Sequence, residues 1–127
     1  MKIQYTVTFA MLAGIGLGAV AVQGLHAQAK PPAYVINEIE IIDEAAFKEF
    51  MPKVEESVKA AGGKILTRGS GQIIPLDGQA PKHVNMQVYE SMEKAQASRA
   101  SAAWKDLTPL REKAMKLRAY IVEGIAN

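Results

Sequence analysis

The segment KHVNMQVYE, residues 82–90, constrains the fold more than any other stretch, because its side chains alternate strictly in character. In an extended strand successive side chains point to opposite faces. His83, Asn85, Gln87 and Tyr89 therefore share one side, and Val84, Met86 and Val88 the other. A strand of this kind belongs to a sheet with helices on one face. The Val84-Met86-Val88 side is expected to be the one that packs on them.

The flanking segments supply the rest of such a layer. AYVINEIEI, rich in β-branched residues, predicts a strand over 33–41. Asp43 is a good N-cap for a helix over 44–61, with Phe47, Phe50 or Met51, Val54 and Val58 forming one apolar stripe. Pro52 predicts a kink or broken turn within it, and Gly62-Gly63 its end. KILTRGSGQIIPL predicts a strand over 64–68, a turn at 69–71 and a short edge segment over 72–75. Asp77-Gly78 is a further turn signal. Ser91 caps a helix over 92–100, and a third helical piece over 102–116 is divided by Pro109. LRAYIVEG gives the last strand, 117–123. The order β-α-β-β-α-β predicts an α+β, ferredoxin-like fold: an antiparallel sheet with helices on one face.

The N-terminus reads as an address. Lys2 is the only charge before His26, an apolar run follows it, and Ala27-Gln28-Ala29 is a small-x-small triplet. These are the three parts of a secretory signal peptide. Cleavage is expected after Ala29, leaving Lys30-Pro31-Pro32 as a stiff spacer before a domain over 33–125, in the periplasm or secreted. The uncharged run is also long enough to span a bilayer as an uncleaved anchor.

Charge and cysteine usage narrow the function classes. The whole chain has 15 basic and 13 acidic residues, too even a balance to suggest a nucleic-acid partner, or a membrane surface once the leader is gone. An exported chain with no Cys has neither disulfides nor thiol chemistry. Of its 2 His only His83 survives cleavage, too few for the usual metal sets, so no metal or other cofactor is expected. Ser101 lacks a nucleophile-elbow glycine pattern, and Gly69-Ser70-Gly71 lacks the context of a phosphate loop.

The segments 33–70, PKHVNMQVYESMEKAQA, SAAW, PLREKA and YIVEG resemble the bacterial domain-of-unknown-function family thirteen-thirty, within the dimeric α+β-barrel superfamily. Gly62-Gly63, Arg68-Gly69, Ser101-x-x-Trp104 with Arg111 downstream, and Glu123-Gly124 carry the likeness. Family members often have aromatic residues where this chain has Ser98 and Arg99, so a pocket wall there is less aromatic. The resemblance implies the ferredoxin-like fold and a homodimer whose helix-free sheet faces enclose a shared interior. It implies no particular reaction.

Candidate site residues follow from the polar strand side and its surroundings. His83, titrating near neutrality, is a candidate general base or polar anchor. Arg68, at a strand end beside flexible glycines, can clamp a carboxylate. Asn85 can stabilise an enolate alongside it. Tyr34, Tyr89 and Tyr120 lie on predicted strands and can line a pocket; Trp104 is a packing anchor or pocket rim, and Arg111 pairs with an acid or across an interface. Three functions fit: a dimer binding a small, partly apolar or anionic molecule; a cofactor-independent oxygenase or isomerase with His83 as base; or an interaction module whose sheet face is filled by its partner chain.

Overall fold

The computed structural model describes residues 30–126. The predicted leader and its cleavage site lie outside them. Residues Pro31–Ile125 form one unit. Its elements are β1 (Ala33–Ile41), α1 (Glu44–Ala60), β2 (Lys64–Ile65), β3 (His83–Tyr89), α2 (Met92–Ala100), α3 (Ala102–Lys105), α4 (Thr108–Ala114) and β4 (Met115–Glu123). The four strands make one antiparallel sheet in the order β2-β3-β1-β4, with β1 pairing β3 on one side and β4 on the other. This is the ferredoxin-like α+β arrangement.

Capping residues set the helix ends. The Asp43 carboxylate accepts from the Ala46 amide at 3.0 Å, and the Ser91 hydroxyl from the Lys94 amide at 3.2 Å. At the end of α1, Gly62 takes a left-handed φ of 83° while the Gly63 amide reaches back to the Val58 carbonyl at 2.9 Å. That closure satisfies carbonyls the helix leaves open. Between the caps Ala46, Phe50, Val54 and Val58 form the buried stripe of α1. Each of the larger three contributes about 1.5–3 kcal/mol by leaving water. They cluster with Ala33, Val35 and Ile39 of β1 and with Ala95, Ala114 and Met115.

Three local expectations change. Helix α1 runs unbroken through Pro52. Lys48 and Pro52 are both exposed, so water can bond the carbonyl that the proline leaves without a donor. The strand predicted over 64–68 shortens to Lys64–Ile65, and no strand forms over 72–75. Past Ile65 the Leu66 amide still bonds the Met86 carbonyl. The Thr67 hydroxyl then takes over the ladder, donating to the Val84 carbonyl at 3.2 Å and accepting from the Met86 amide at 2.9 Å. Thr108 begins α4 after a break from α3 and Pro109 follows it in the first turn, where no amide is needed, so the expected division holds; β4, however, starts two residues earlier than expected, at Met115.

The largest correction concerns the two sides of the sheet. The helices cover Asn85, Gln87 and Tyr89, all buried, along with Ala33, Val35, Asn37 and Ile39 of β1. Val84, Met86 and Val88 lie on the helix-free side, half-buried, beside Tyr34 and Ile36. Hydrophobic character alone favours the opposite orientation; the bonds of the amide residues reverse it. Among the described residues no helix is long and apolar enough to cross a membrane.

Candidate functional site

The buried polar side chains form one connected network. The register of β1 and β3 sets Asn37 opposite Asn85, and the Asn37 amide group donates to both the backbone and side-chain carbonyls of Asn85 at 3.3 Å. Asn85 in turn donates to the Thr67 carbonyl at 3.0 Å, and Gln87 donates to the Asn85 side chain at 3.0 Å. The Tyr89 hydroxyl donates to Gln87 at 3.3 Å and lies 2.9 Å from the Ser98 hydroxyl. From α2, the Arg99 guanidinium donates to Asn37 Oδ1. Each amide thus offsets the cost of its own burial through a neighbour, which is how a polar stripe can exist beneath helices.

Much of this network lines a narrow slot between the sheet and the helices. Asn37, Asn85, Gln87 and Leu117 line it from the sheet, and Phe50, Met51, Val54 and Arg99 from the helices. Its free volume is about 20 Å³, enough for a water and nothing larger. Trp104 also lines it. The Ser101 hydroxyl places it, accepting from the Trp104 amide at 3.2 Å while donating to the Ser98 carbonyl at 2.6 Å. The Trp104 ring meets Phe50 edge-on at 6.3 Å. The Arg99 guanidinium stacks on it at 3.9 Å, and that of Arg111 stands 5.6 Å from its centre. Burial pushes the Arg99 guanidinium down to about 10; the Tyr89 phenol opposes this and the Arg111 charge adds to it.

A larger hollow of about 720 Å³ lies elsewhere, bounded by Glu38, Glu40, Lys82, Lys116 and Arg118. It is wide open, and none of the buried polar side chains lines it. The slot therefore carries the stronger claim to specific chemistry. Among the described residues no group of three His, Cys, Asp or Glu side chains is placed to hold a metal ion.

The residues expected from the sequence are distributed as follows. Asn85 and Trp104 line the slot; Tyr89 bonds to Gln87 of its lining, and Arg111 lies beside Trp104. His83 stands outside it, with Nδ1 2.9 Å from the Gly69 carbonyl, to which it donates. Arg68 is exposed on the same loop. Tyr34 and Tyr120 are on the helix-free face, Tyr120 donating to Glu38 at 2.6 Å. The shared tyrosine-lined pocket expected of Tyr34, Tyr89 and Tyr120 is not formed within one chain, because Tyr89 has odd parity in the ladder and the other two even.

Asn37, Gln87 and Arg99 were not among the candidates, although they bond within this network. Asn37 carried a signal: it interrupts the otherwise apolar alternation Ala33-Val35-x-Ile39. Arg99 shares the inward side of α2 with Ala95 and Ser98, at helical spacing.

A ferredoxin-like layer with an amide-lined slot under its helices defines the class. Residues 32–125 match the domain of unknown function DUF1330, and the chain belongs to that family. No curated protein matches it by sequence. In fold it is similar to a protein of unknown function from Rhodopseudomonas palustris, with a TM-score of 0.59 and 13% identity over 83% of this chain and 92% of that one. It is similar also to SnoaB, a cofactor-independent oxygenase from Streptomyces nogalater, with a TM-score of 0.56 and 8% identity over 76% and 96%. A putative antibiotic biosynthesis monooxygenase from Nitrosomonas europaea gives 0.51 and 12% over 76% and 92%.

Proposed function

We propose that this protein is an exported homodimer that binds a small, partly apolar molecule between its sheet and its helices. The observation that carries the reading is the slot itself, where buried Asn37, Asn85 and Gln87 and the Arg99 guanidinium stand among apolar side chains. A few fixed polar groups among aliphatic and aromatic side chains orient a ligand whose body is apolar. Met51 is an unbranched side chain in the lining, able to move aside for a ligand larger than water.

The dimer rests on the other face of the sheet. Tyr34, Ile36, Met86 and Val88 there have no helix over them, and Tyr120 and Val122 are 41% and 44% exposed. A second copy applied face to face buries this surface and supplies the second layer of apolar packing that a domain of this size benefits from. Export rests on the leader composition. The oxygenase or isomerase reading has less support: its expected base, His83, commits Nδ1 to Gly69 outside the slot, and the likeness to SnoaB is one of fold.

Native mass spectrometry of the protein purified from the exported fraction tests the reading in one measurement. The expected spectrum is a dimer of chains beginning at Lys30, carrying a small molecule that is lost on collisional activation. Monomers with no adduct, in a preparation that also fails to bind any added aromatic or aliphatic compound, would overturn it.

A further inference from the structure

The two arginines beside Trp104 are an unbalanced pair of charges. Arg99 and Arg111 approach the same indole, at 3.9 and 5.6 Å. Arg99 spends one donor on Asn37, a neutral amide. The Arg111 Nε–H is buried with no hydrogen-bond partner. The ion pairs Lys53 with Glu49 and Arg118 with Glu38 reach neither guanidinium. Two cations held together, one with an orphan donor, are costly unless an anion joins them. Arg99, Trp104 and Arg111 are each only half-buried, so an anion can arrive from solvent.

We infer that the Arg99–Arg111 pair over Trp104 is a carboxylate subsite at the mouth of the slot, and that the ligand is an organic acid with an apolar body. The inference rests on the slot reading above and names the ligand class. The planar carboxylate matches the fork of a guanidinium, which a hydroxyl or amide matches less well. Phe50, Met51, Val54 and Leu117 then receive the apolar part. Burial and the neighbouring arginine hold the Arg99 guanidinium near 10, still charged at neutral pH, and a bound carboxylate moves it back up.

Trp104, the only tryptophan of the 127 residues, reports directly on the site. Titrate the full chain with benzoate, benzamide and acetate, following tryptophan emission excited at the red edge and, in parallel, the melting temperature. Benzoate is expected to bind at least about tenfold more tightly than either benzamide, which lacks the charge, or acetate, which lacks the body. In Arg111→Gln that preference for benzoate over benzamide is expected to fall to near one, and Arg99→Gln is expected to do the same. The wild-type preference needs no variant, so a poorly folding Arg99→Gln leaves the test intact. Equal binding of benzoate and benzamide by the wild type sinks the carboxylate subsite and spares the slot. Absence of binding by all three sinks both.

Discussion

The two faces of β3 differ in the reverse of the usual sense for a strand under helices. Beneath the helices lie Asn37, Asn85 and Gln87, each less than 5% exposed. Outside, with no helix above them, lie Tyr34, Ile36, Val84, Met86 and Val88. Polar groups are interior because they satisfy one another and, on this reading, receive a ligand. Aliphatic groups are exterior and, on the same reading, a second copy supplies their cover. The contrast teaches that alternation along a strand separates two faces without saying which is the inside; the partners that each face finds decide that.

The sharpest way to test the contrast uses the two glycines that admit a tyrosine to each face. A Cβ on Gly63 falls 2.6 Å from Tyr89 ring atoms and 2.9 Å from Val58; one on Gly124 falls 2.6 Å from Tyr34 and 3.0 Å from Pro32. Tyr89 is buried and bonded at its hydroxyl to Gln87 and Ser98, so it cannot step aside. Gly63→Ala is therefore expected to cost about 3 kcal/mol or more in chemical denaturation, the upper end for overpacking. Tyr34 is half-buried on the open face and can swing, so Gly124→Ala is expected to cost about 1 kcal/mol, at the lower end of the same range. Equal costs would mean that the open face is already as rigidly packed as the helix side.

A second pair separates adjacent residues of β1. Asn37→Ala strips a partner from Asn85 and from the Arg99 guanidinium, both held in the interior. Expected is a loss of about 2 kcal/mol, the same at all protein concentrations. Ile36→Asp on the opposite side is expected to leave monomer folding nearly intact but to dissociate the dimer in sedimentation analysis, because it desolvates a charge against a matching apolar surface. A concentration-dependent loss from Asn37→Ala, or an unchanged dimer in Ile36→Asp, would exchange the roles given to the two faces.

Element order was legible in the sequence because it depends on local signals. The Asp43 and Ser91 caps, the Gly62-Gly63 stop and the β-branched run 33–41 each act within a few residues. The orientation of β3 was not legible. What buries its polar side includes an Arg99 bond to Asn37 across 62 positions of sequence, invisible to any local window. The early end of β2 was hidden for a related reason, since Thr67 imitates a backbone partner with its side chain. In the site, Asn85 and Trp104 could be singled out by residue type, whereas Asn37 needed the antiparallel register that pairs it with Asn85. His83 drew notice as a titratable group, but its ring holds the 69 carbonyl of its loop.

The smallest effect distinguishes the faces by pH. On the open side Glu38 accepts from Tyr120 at 2.6 Å and from Arg118 at 3.1 Å, and these bonds, Tyr120 first, hold its carboxyl below the ordinary 4.5. A carboxylate whose folded pKa is depressed contributes stability above its unfolded pKa and loses it as pH falls through the folded value. Tyr120, raised mainly by its bond to Glu38, has the opposite dependence: its contribution is present below the ordinary tyrosine range and fades as pH rises through the folded value. The amides of the slot wall titrate nowhere in this range. Glu38→Gln is accordingly expected to flatten the acid limb of the stability profile slightly, and Tyr120→Phe to flatten both limbs. A monomer would show the same small effect at every concentration, since the cluster is then solvated. If the open face meets a second copy, the cluster is removed from water, and the acid midpoint of dissociation shifts with protein concentration in the wild type and shifts less in Glu38→Gln.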